Sequence, residues 1–485
     1  MRMKFVHKAA LFAMSCLLVV GCSAGSGKET VKETSSLKVM FYSEDWFYQQ
    51  YGDLFAMKHP EVEIEVVSQQ SIYNGQNTDY VQAFKDLVEK EQPDILMLDN
   101  SNYGTFASDG KLMELDTLIA RDKYPTETIY PGLMDLLKEE GGGKLYGLSP
   151  SFSGTAIFYN ADLFNKYGVE LPHDGMTWQE IMDTARRFPT DGDEKTRVYG
   201  YGMEWSMSVS NMADSIASTE GLRYINPDTM KITLNTDSWK KVYQLAIDAL
   251  DSSAIYVPKD GGFGGGTMEE YYESQLFVMG RMAMTIGRPY NLQNIKQARE
   301  SLKDYKSFEL GMAAGPVNPA EPDTTRDVSF NSIFAIRANS PNADAAWEFM
   351  KFINGDEYAK IKSRSMNNEL MSRMGYSKEY DGHNLETFYK LKPSASNSYS
   401  GMEKIPSEFY GQYQPIVDRE LALVKDKTKS ISEALATIEA EGQVVLDKAV
   451  KDAEAKKNNP AEDKDSGEVG ADTGEVSSGT VTITN

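Results

Sequence analysis

The sequence has little of what many secreted proteins use for reinforcement or for metal chemistry. It contains only two cysteines, Cys16 and Cys22, and both lie near the amino terminus. The folded body therefore has no disulfide and must be stabilised by core burial, which a chain of this length can supply. Four histidines occur, one of them near the amino terminus, and the other three lack metal-ligand spacing. We expect no metal and no cofactor.

Basic charge is also scarce, because the formal net charge is −22. Removing residues 1–21 would remove three bases and no acid, so the 50 bases fall to 47 against 72 acids and the net charge becomes −25. Phosphate contacts require clustered basic side chains, so nucleic acid is not expected as a partner. The acidic balance also disfavours direct attachment of the body to lipid headgroups. Beyond residue 22 there is no long apolar run, and no membrane span is predicted.

The amino-terminal residues have the pattern of an export signal. Arg2, Lys4 and Lys8 precede a short apolar run, and Gly21-Cys22 follows it. A run of about a dozen residues is too short to span a bilayer, so a removable signal is the interpretation. The segment LVVGC resembles a bacterial lipobox, which predicts a lipoprotein signal peptide over residues 1–21 and acylation of Cys22. The alternative is an ordinary signal cleaved elsewhere, with Cys22 incidental.

Strand and helix patterns alternate through the body of the chain. The segments LKVMFY, EVEIEVV and PDILMLD read as strands, and helical spacing of apolar residues lies between them at 45–59 and 79–90. Such alternation is typical of a mostly parallel sheet covered by helices. Further along, RMAMTIG and VSFNSIFAIRAN read as strands. A helix with Ser340 as its cap and Pro341 at its first position is predicted next, and the chain reads as helical from about 411 to 450.

Several motifs arrive in an order that resembles one family. They are PDILMLDNSNYGTFASDGKLMELDTLI, LYGLSPSFSGTAIFYNADLFNKYGVELPHDGMTWQEIMDTARRF, FVMGRMAMTIGRPYNL and FAIRANSPNADAAWEFMKFI, preceded by the lipobox. Together they resemble the extracellular solute-binding proteins of sugar-type ABC importers (family 1). The chain departs from the family pattern near the expected cleft. Ser149 replaces a proline, Arg288 stands at a glycine, Tyr290 stands at the aromatic position, and SFN replaces a Gly-Gly pair.

The resemblance implies an α/β, two-lobed periplasmic-binding-protein-like fold, with a hinge and an interlobe cleft that closes over the ligand. It places crossing segments near 151–155, 316–326 and 355. The predicted division is a flexible tether over 22–36, an N-lobe of 37–153 plus 318–356, a C-lobe of 154–317 plus 357–455, and a disordered acidic tail over 456–485. The implied partners are a small-molecule ligand, an oligosaccharide in particular, and the ABC permease subunits. The lipid anchor is the implied membrane contact, and a monomer is expected.

Candidate ligand-binding residues follow predicted strands, because ligands of open α/β sheets bind outside the carboxyl ends of the strands. Aromatic faces suit sugar rings, and polar edge groups suit hydroxyls. The candidates are Trp46, Tyr48, Asp99, Asn100, Phe152, Ser153, Trp205, Arg288, Tyr290 and Asn331. For Trp46 and Tyr48, packing as a first helical turn is an equal alternative. Asp99 could instead cap a helix, and Arg288 could pair with a surface acid.

The segment PTDGDEKTRVYG resembles a calcium loop found in some relatives, but only Asp191 and Asp193 stand at ligand positions. A degenerate loop that does not bind calcium is the prediction.

Catalysis finds little support, since no G-x-S-x-G elbow and no phosphate-binding Lys-Ser/Thr loop occur. Two alternatives to a transport receptor remain open, an extracellular carbohydrate-active enzyme and a ligand-binding sensor subunit. Pairs of acids for glycoside hydrolysis are set by distance in space, which a sequence does not reveal. Returning the ligand unaltered distinguishes a receptor from an enzyme.

Overall fold

The structure, a computed structural model, describes residues 35–73, 80–193, 196–203, 207–258, 263, 265–365, 369–395 and 401–458. Within these ranges the strands are β1 Ser35–Phe41, β2 Val62–Ser68, β3 Ile95–Leu98, β4 Gly147–Leu148, β5 Ser151–Phe152, β6 Ala156–Asn160, β7 Tyr199–Gly202, β8 Ile225–Asn226, β9 Lys231–Ile232, β10 Ile255–Tyr256, β11 Met282–Gly287, β12 Leu310–Ala313, β13 Thr324–Thr325, β14 Ile333–Ile336, β15 Leu370–Met371, β16 Glu379–Tyr380, β17 His383–Asn384 and β18 Lys392–Pro393. The α-helices are α1 Glu44–Phe47, α2 Asp53–Lys58, α3 Tyr80–Glu91, α4 Asn100–Ser108, α5 Asp116–Asp122, α6 Pro131–Glu140, α7 Ala161–Tyr167, α8 Trp178–Ala185, α9 Val209–Glu220, α10 Asp237–Leu250, α11 Met268–Ser274, α12 Tyr290–Ser301, α13 Ala343–Ile353, α14 Asp356–Lys362, α15 Glu408–Lys425 and α16 Ile431–Asn458.

The first lobe is built on a five-stranded sheet in the order β2-β1-β3-β14-β4. Strand β1 pairs in parallel with β2 and β3, while β14 runs antiparallel to β3 and β4. Apolar side chains of the sheet and of α13 are fully buried, among them Val39, Ile95, Phe334 and Trp347. The strand-helix alternation predicted for the first hundred residues is confirmed. Strand β3 lies inside the sheet and reads as a continuous apolar run, whereas the edge strand β2 alternates between glutamate and apolar residues.

The second lobe has its own five-stranded sheet, in the order β10-β7-β11-β6-β12. Strands β7, β10 and β11 run parallel to one another, and β6 is antiparallel to both β11 and β12. Its core includes Ile157, Met182 and Met284, all with no exposed surface. The structure is therefore a two-lobed α/β fold, as the resemblance implies.

The segments that connect the two lobes lie side by side. Ser153 and Ser329 exchange two backbone hydrogen bonds, N to O at 2.9 and 3.0 Å, in an antiparallel bridge. On the other side, β5 pairs with β15, so Phe152 lies opposite Leu370. Three stretches of chain that are distant in sequence therefore form one narrow ribbon between the sheets. This ribbon, residues 151–153, 329 and 370–371, is called the hinge ribbon below.

Two helix boundaries differ from the sequence prediction. The helix predicted for 45–59 spans 44–58, but its middle, Tyr48–Gly52, is π-helical. The helix predicted to be capped by Ser340 begins only at Ala343. The Ser340 hydroxyl accepts from the Asn342 backbone N–H at 3.1 Å, as a cap would, and donates to Asp94 at 2.6 Å. Asp94, which is 3% exposed, also accepts from the Asn342 side-chain amide at 3.2 Å. Local capping rules do not detect this partner, which lies 246 residues from Ser340 in the chain.

Residues 356–393 make many contacts with the first lobe. Tyr358 stacks on Tyr51 at 5.6 Å, and Lys392 forms an ion pair with Asp135 at 2.9 Å. Other contacts of the same stretch reach the second lobe, since Asp381 pairs with Arg299 at 2.8 Å and Lys390 pairs with Asp174 at 2.6 Å. The stretch therefore contacts both lobes, whereas the expected boundaries put all of residues 357–455 in the second lobe. The helical pattern after Gly355 carries no information about which body the helix packs on. The chain contacts the second lobe extensively from α15 onwards, where Phe409 and Tyr413 join its core.

The helical region predicted for 411–450 consists of two helices, α15 and α16, which pack against each other. Glu420 lies between them with only 3% of its surface exposed, and its carboxylate accepts hydrogen bonds from Lys429 and Arg419. These two cations hold the pKa of Glu420 below its ordinary value, although burial opposes them. No helix in the described residues combines the length and apolarity that a membrane span requires.

Replacing Glu420 with glutamine is expected to lower the free energy of unfolding by about 1–3 kcal/mol at pH 7, because two cations lose a charged acceptor. A carboxylate whose pKa is lower in the folded state stabilises the fold at pH values above its unfolded-state pKa. This stabilisation is lost as the pH falls through the folded-state pKa. Urea denaturation at pH 7 and at pH 3.5 measures both effects. Glu441→Gln, at the exposed end of the same network, is the control. Equal losses at the two pH values would contradict the charge argument.

Candidate functional site

The carboxyl ends of the parallel strands mark one edge of each sheet. In the first sheet, β1 ends at Phe41 and β3 ends at Leu98, which pairs with the first residue of β14. In the second sheet, β11 ends at Gly287, which pairs with Ala156 at the start of β6. Both edges adjoin the hinge ribbon. Side chains that follow these strands therefore lie at the cleft between the lobes, where open α/β sheets bind ligands.

An exposed group of aromatic side chains lies at the first-lobe edge. Tyr42, Trp46, Tyr73 and Tyr80 are 40, 47, 53 and 49% exposed. Tyr42 contacts Trp46 edge to face with 5.4 Å between ring centroids, and Tyr73 stacks on Tyr80 at 5.8 Å. Tyr42 also lies 6.2 Å from Tyr73, which makes the group continuous. These four residues, the aromatic platform, offer flat apolar faces to solvent, a surface suited to the C–H faces of sugar rings.

Trp46 and Tyr48, which the sequence could not separate, have different environments. Trp46 belongs to the platform, whereas the partly buried Tyr48 donates its hydroxyl to the Ile64 carbonyl at 3.1 Å. Sequence analysis missed the other three platform residues, Tyr42, Tyr73 and Tyr80. Tyr42 directly follows the first strand and could have been found from that position. Tyr73 follows β2 by five residues and belongs to no strong motif.

Asp99 and Asn100 lie where β3 passes into α4. Asp99 caps the helix, since its Oδ1 accepts from the Asn102 backbone N–H at 2.7 Å. Asp99 directly follows β3 and Tyr42 directly follows the neighbouring strand β1, so the carboxylate lies at the same sheet edge as the aromatic platform. Burial and the charge of Asp99 raise the pKa of Tyr73. The Asn100 amide donates to Glu140 at 3.0 Å. Burial raises the pKa of Glu140 to about 7. Capping accounts for Asp99 structurally and leaves its second oxygen beside the platform, where it also accepts from the Asn102 amide at 3.1 Å.

The second-lobe edge carries a charged group at the hinge ribbon. Arg288 directly follows β11, and its Nη1 donates to the Ser153 hydroxyl at 2.6 Å and lies 3.5 Å from the Ser329 hydroxyl. Behind it, Thr155 donates to Asp327 at 3.3 Å. Burial raises the pKa of Asp327, and the charge of Arg288 opposes that rise. Asp327 was not among the predicted residues, because nothing in the sequence links it to Arg288.

The remaining predicted residues are dispersed. Phe152 is fully buried in the hinge ribbon, where it packs against Tyr130 and Tyr389. Tyr290 is the partly buried first residue of α12. Trp205 lies outside the described residues.

Asn331 lies beside the hinge ribbon and donates its amide to Glu369 at 2.9 Å. Glu369 also accepts from the Ser151 hydroxyl at 2.5 Å, so one carboxylate joins all three connecting stretches. Sequence analysis missed Glu369, which follows no recognised motif.

Metal chemistry is not indicated by the described part of the chain, where no three His, Cys, Asp or Glu side chains are grouped closely enough to hold an ion. Asp191 and Asp193 are described, but Glu194 of the same loop is not.

Known proteins share both the sequence pattern and the fold. A putative binding protein of Brucella abortus is 27% identical over 216 residues, 44% of this chain and 47% of that protein. An arabinooligosaccharide-binding protein of Bacillus subtilis is 27% identical over 267 residues, 54% of this chain and 57% of that protein. The chain thus spans about half the length of these relatives.

Among solved structures, the sugar-binding protein MalE of Xanthomonas citri superposes with a TM-score of 0.60 at 15% identity, covering 87% of this chain and 99% of that one. At this identity the likeness shows the fold alone. The family model for bacterial extracellular solute-binding proteins matches residues 32–360. That match covers well over half of the sequence. This chain belongs to the bacterial extracellular solute-binding protein family.

Proposed function

We propose that this protein is the lipid-anchored receptor of an ABC importer, and that it captures a carbohydrate, an oligosaccharide in particular, by closing its lobes. The observation that carries the proposal is the aromatic platform at the carboxyl edge of the first sheet. Four adjoining aromatic rings with 40–53% of their surface exposed are costly to leave in water unless they serve a ligand. Stacked pyranose or furanose rings would cover several of them at once, which favours an oligosaccharide over a single sugar. The name of the Bacillus subtilis relative supports the same class of ligand.

The two lobes would close about the hinge ribbon. We propose a first lobe of residues 37–153 and 318–356 and a second lobe of 154–317 together with the chain from 401 to 455, with residues 356–393 in contact with both lobes. Each hinge stretch is held by a hydrogen bond from a side chain as well as by backbone pairing, so the ribbon can bend as a unit. Transport needs no chemistry at the ligand, and the protein would release it unchanged to the permease.

The test is a thermal-shift screen with neutral oligosaccharides, monosaccharides, amino acids and polyamines, followed by small-angle scattering with each stabilising ligand. Tight ligands raise the melting temperature by mass action. We expect stabilisation by oligosaccharides, a smaller radius of gyration in their presence, and recovery of the intact sugar by chromatography. Stabilisation by polyamines alone would refute the carbohydrate assignment, and cleaved sugar would favour the enzyme alternative.

The lipid anchor has its own test. Replacing Cys22 with serine removes the thiol that would carry the acyl chains, so we expect the protein to move from the membrane fraction to the medium or periplasm. Fractionation with immunoblotting, and labelling with a palmitate analogue, measure this. Cys16→Ser is the matched control, because that cysteine lies inside the predicted signal. Labelling that persists in the Cys22→Ser variant would refute acylation at this position.

A further inference from the structure

Arg288 is held at the inner end of the cleft. It leaves the carboxyl end of β11, and its Nη1 reaches the hydroxyls of Ser153 and Ser329 at 2.6 and 3.5 Å. Those two serines are bridged by their backbones, so the guanidinium is anchored to the most constrained pair in the hinge ribbon. A guanidinium carries five N–H donors in a fixed plane. Within the described residues its Nε and Nη2 make no hydrogen bond, and neither atom is sealed inside the protein.

Asp327 supplies the opposite charge beside Arg288. It lies two residues before Ser329 on the same connecting stretch, and the Thr155 hydroxyl orients its carboxylate at 3.3 Å. Because Ser153 and Ser329 lie opposite each other in an antiparallel bridge, Thr155 and Asp327 form the next pair on the same face, beside the two serines that Arg288 contacts. A guanidinium whose charge is balanced by a nearby carboxylate can still donate hydrogen bonds to a ligand. Its net attraction for an anion is small.

The other described charged side chains near the cleft also disfavour an anionic ligand. Asp99 follows β3 at the same sheet edge as the aromatic platform, and Glu369 accepts from Ser151 and Asn331 at the hinge ribbon. Two further cations are engaged elsewhere. Lys362 donates to the Gln49 carbonyl and to Gln50 at 3.3 Å each, and Arg326 donates to Glu321 at 2.6 Å and to the Thr219 carbonyl at 3.4 Å. Three carboxylates and one guanidinium with available donors therefore lie along the sheet edges and the hinge ribbon.

We infer that the Arg288–Asp327 pair sets the charge specificity of this cleft, so that it accepts uncharged polyhydroxylated ligands and rejects sugars that carry a carboxylate or a phosphate. The inference rests on the proposed function, which it deepens. Arg288 would donate to ligand hydroxyls, and Asp327 would cancel the attraction that an isolated guanidinium has for an anion. Rejection of anions through an unfavourable charge balance is a common route to specificity.

The first arm of the test uses the unmodified protein. Isothermal titration with maltotriose, arabinotriose, xylotriose and raffinose is compared with digalacturonic acid, glucuronic acid and glucose 6-phosphate. We expect binding only within the neutral set, with at least about tenfold discrimination against every acidic probe. An acidic probe that binds as tightly as the best neutral one overturns the inference but leaves the receptor function intact. Failure of every sugar in both sets instead refutes the proposed function.

The second arm changes the pair itself. Asp327→Asn retains the size of the side chain and its contact with Thr155 but leaves Arg288 uncompensated. We expect the best acidic probe to bind at least about tenfold more tightly than it binds the unmodified protein, with the neutral ligand changed by less than about threefold. Asp323→Asn, an exposed acid four residues away, makes the same change in net charge and should alter neither affinity.

Equal affinities of Asp327→Asn and Asp323→Asn for the acidic probe would overturn the inference, because bulk charge would then suffice. If Asp327→Asn fails to fold, Arg288→Gln provides the complementary measurement. Removal of the guanidinium should weaken the neutral ligand by about tenfold or more, and the acidic probes should remain unbound. A neutral affinity that is unchanged in Arg288→Gln would exclude the pair from the site.

Discussion

Replacing Arg373 with methionine is expected to lower the free energy of unfolding of the first lobe by about 3–5 kcal/mol, the usual cost of removing one partner from a buried charged network. The Arg373 side chain is 2% exposed. Its Nε donates to the Asn354 carbonyl at 2.7 Å, and its Nη2 donates to the Tyr124 hydroxyl and the Pro125 carbonyl at 2.8 and 3.1 Å. Nη1 donates to Thr128. Methionine fills the space but leaves these acceptors buried without a donor.

The effect is measured by urea denaturation followed by tryptophan fluorescence, fitted with a separate transition for each lobe if two appear. Arg121→Met is the control, because Arg121 pairs with Asp122 and Asp344 at an exposed site where ion pairs contribute little. We expect it to leave the midpoint nearly unchanged. An equally small effect of Arg373→Met would mean that residues 356–393 are not held to the first lobe by this network.

Replacing Trp46 with alanine is expected to weaken carbohydrate binding by about 30-fold, close to 2 kcal/mol, which is typical of an aromatic anchor in a binding site. Trp46 is 47% exposed and lies between Tyr42 and the buried Phe41, so the ring is positioned without being needed to close the core. The melting temperature without ligand should therefore change little. Loss of affinity with retained stability distinguishes a ligand contact from a packing role.

Isothermal titration with the best oligosaccharide from the screen measures this change. Tyr410→Ala is the matched control, since Tyr410 is a similarly exposed aromatic residue on α15, outside the platform. It should bind as the unmodified protein does. If Trp46→Ala also binds normally, the platform is not the carbohydrate surface, and the central support for the proposed function is lost.

Much of the fold was accessible from local patterns. Strand β3 was found because a strand buried on both faces needs an apolar run, which its residues supply. Local patterns placed the start of α13 at Pro341, whereas the helix begins at Ala343 and the preceding turn is bound by Asp94, a buried carboxylate far away in the sequence. They also failed after Gly355, because an amphipathic helix can pack on either lobe.

Some residues of the candidate site were likewise predicted from the sequence, and others were found only in the structure. Position after a strand pointed to Trp46, Asp99 and Arg288, and the structure places all three at the sheet edges that meet the hinge ribbon. Position alone could not distinguish Phe152, whose ring is buried, from a ligand contact. Nor could it find Asp327 or Glu369, whose significance comes from partners in other stretches of the chain.

The sequence by itself indicated the family, because its motifs lie within short windows, and that resemblance implied the two-lobed α/β class; the export signal stays a prediction. Only the tertiary structure decided which charged side chains lie near each other, which aromatic rings form one surface and that residues 356–393 contact both lobes. Those properties depend on distances between segments far apart in the chain. Such distances are fixed by the packing of whole elements and leave no periodic signal in the sequence.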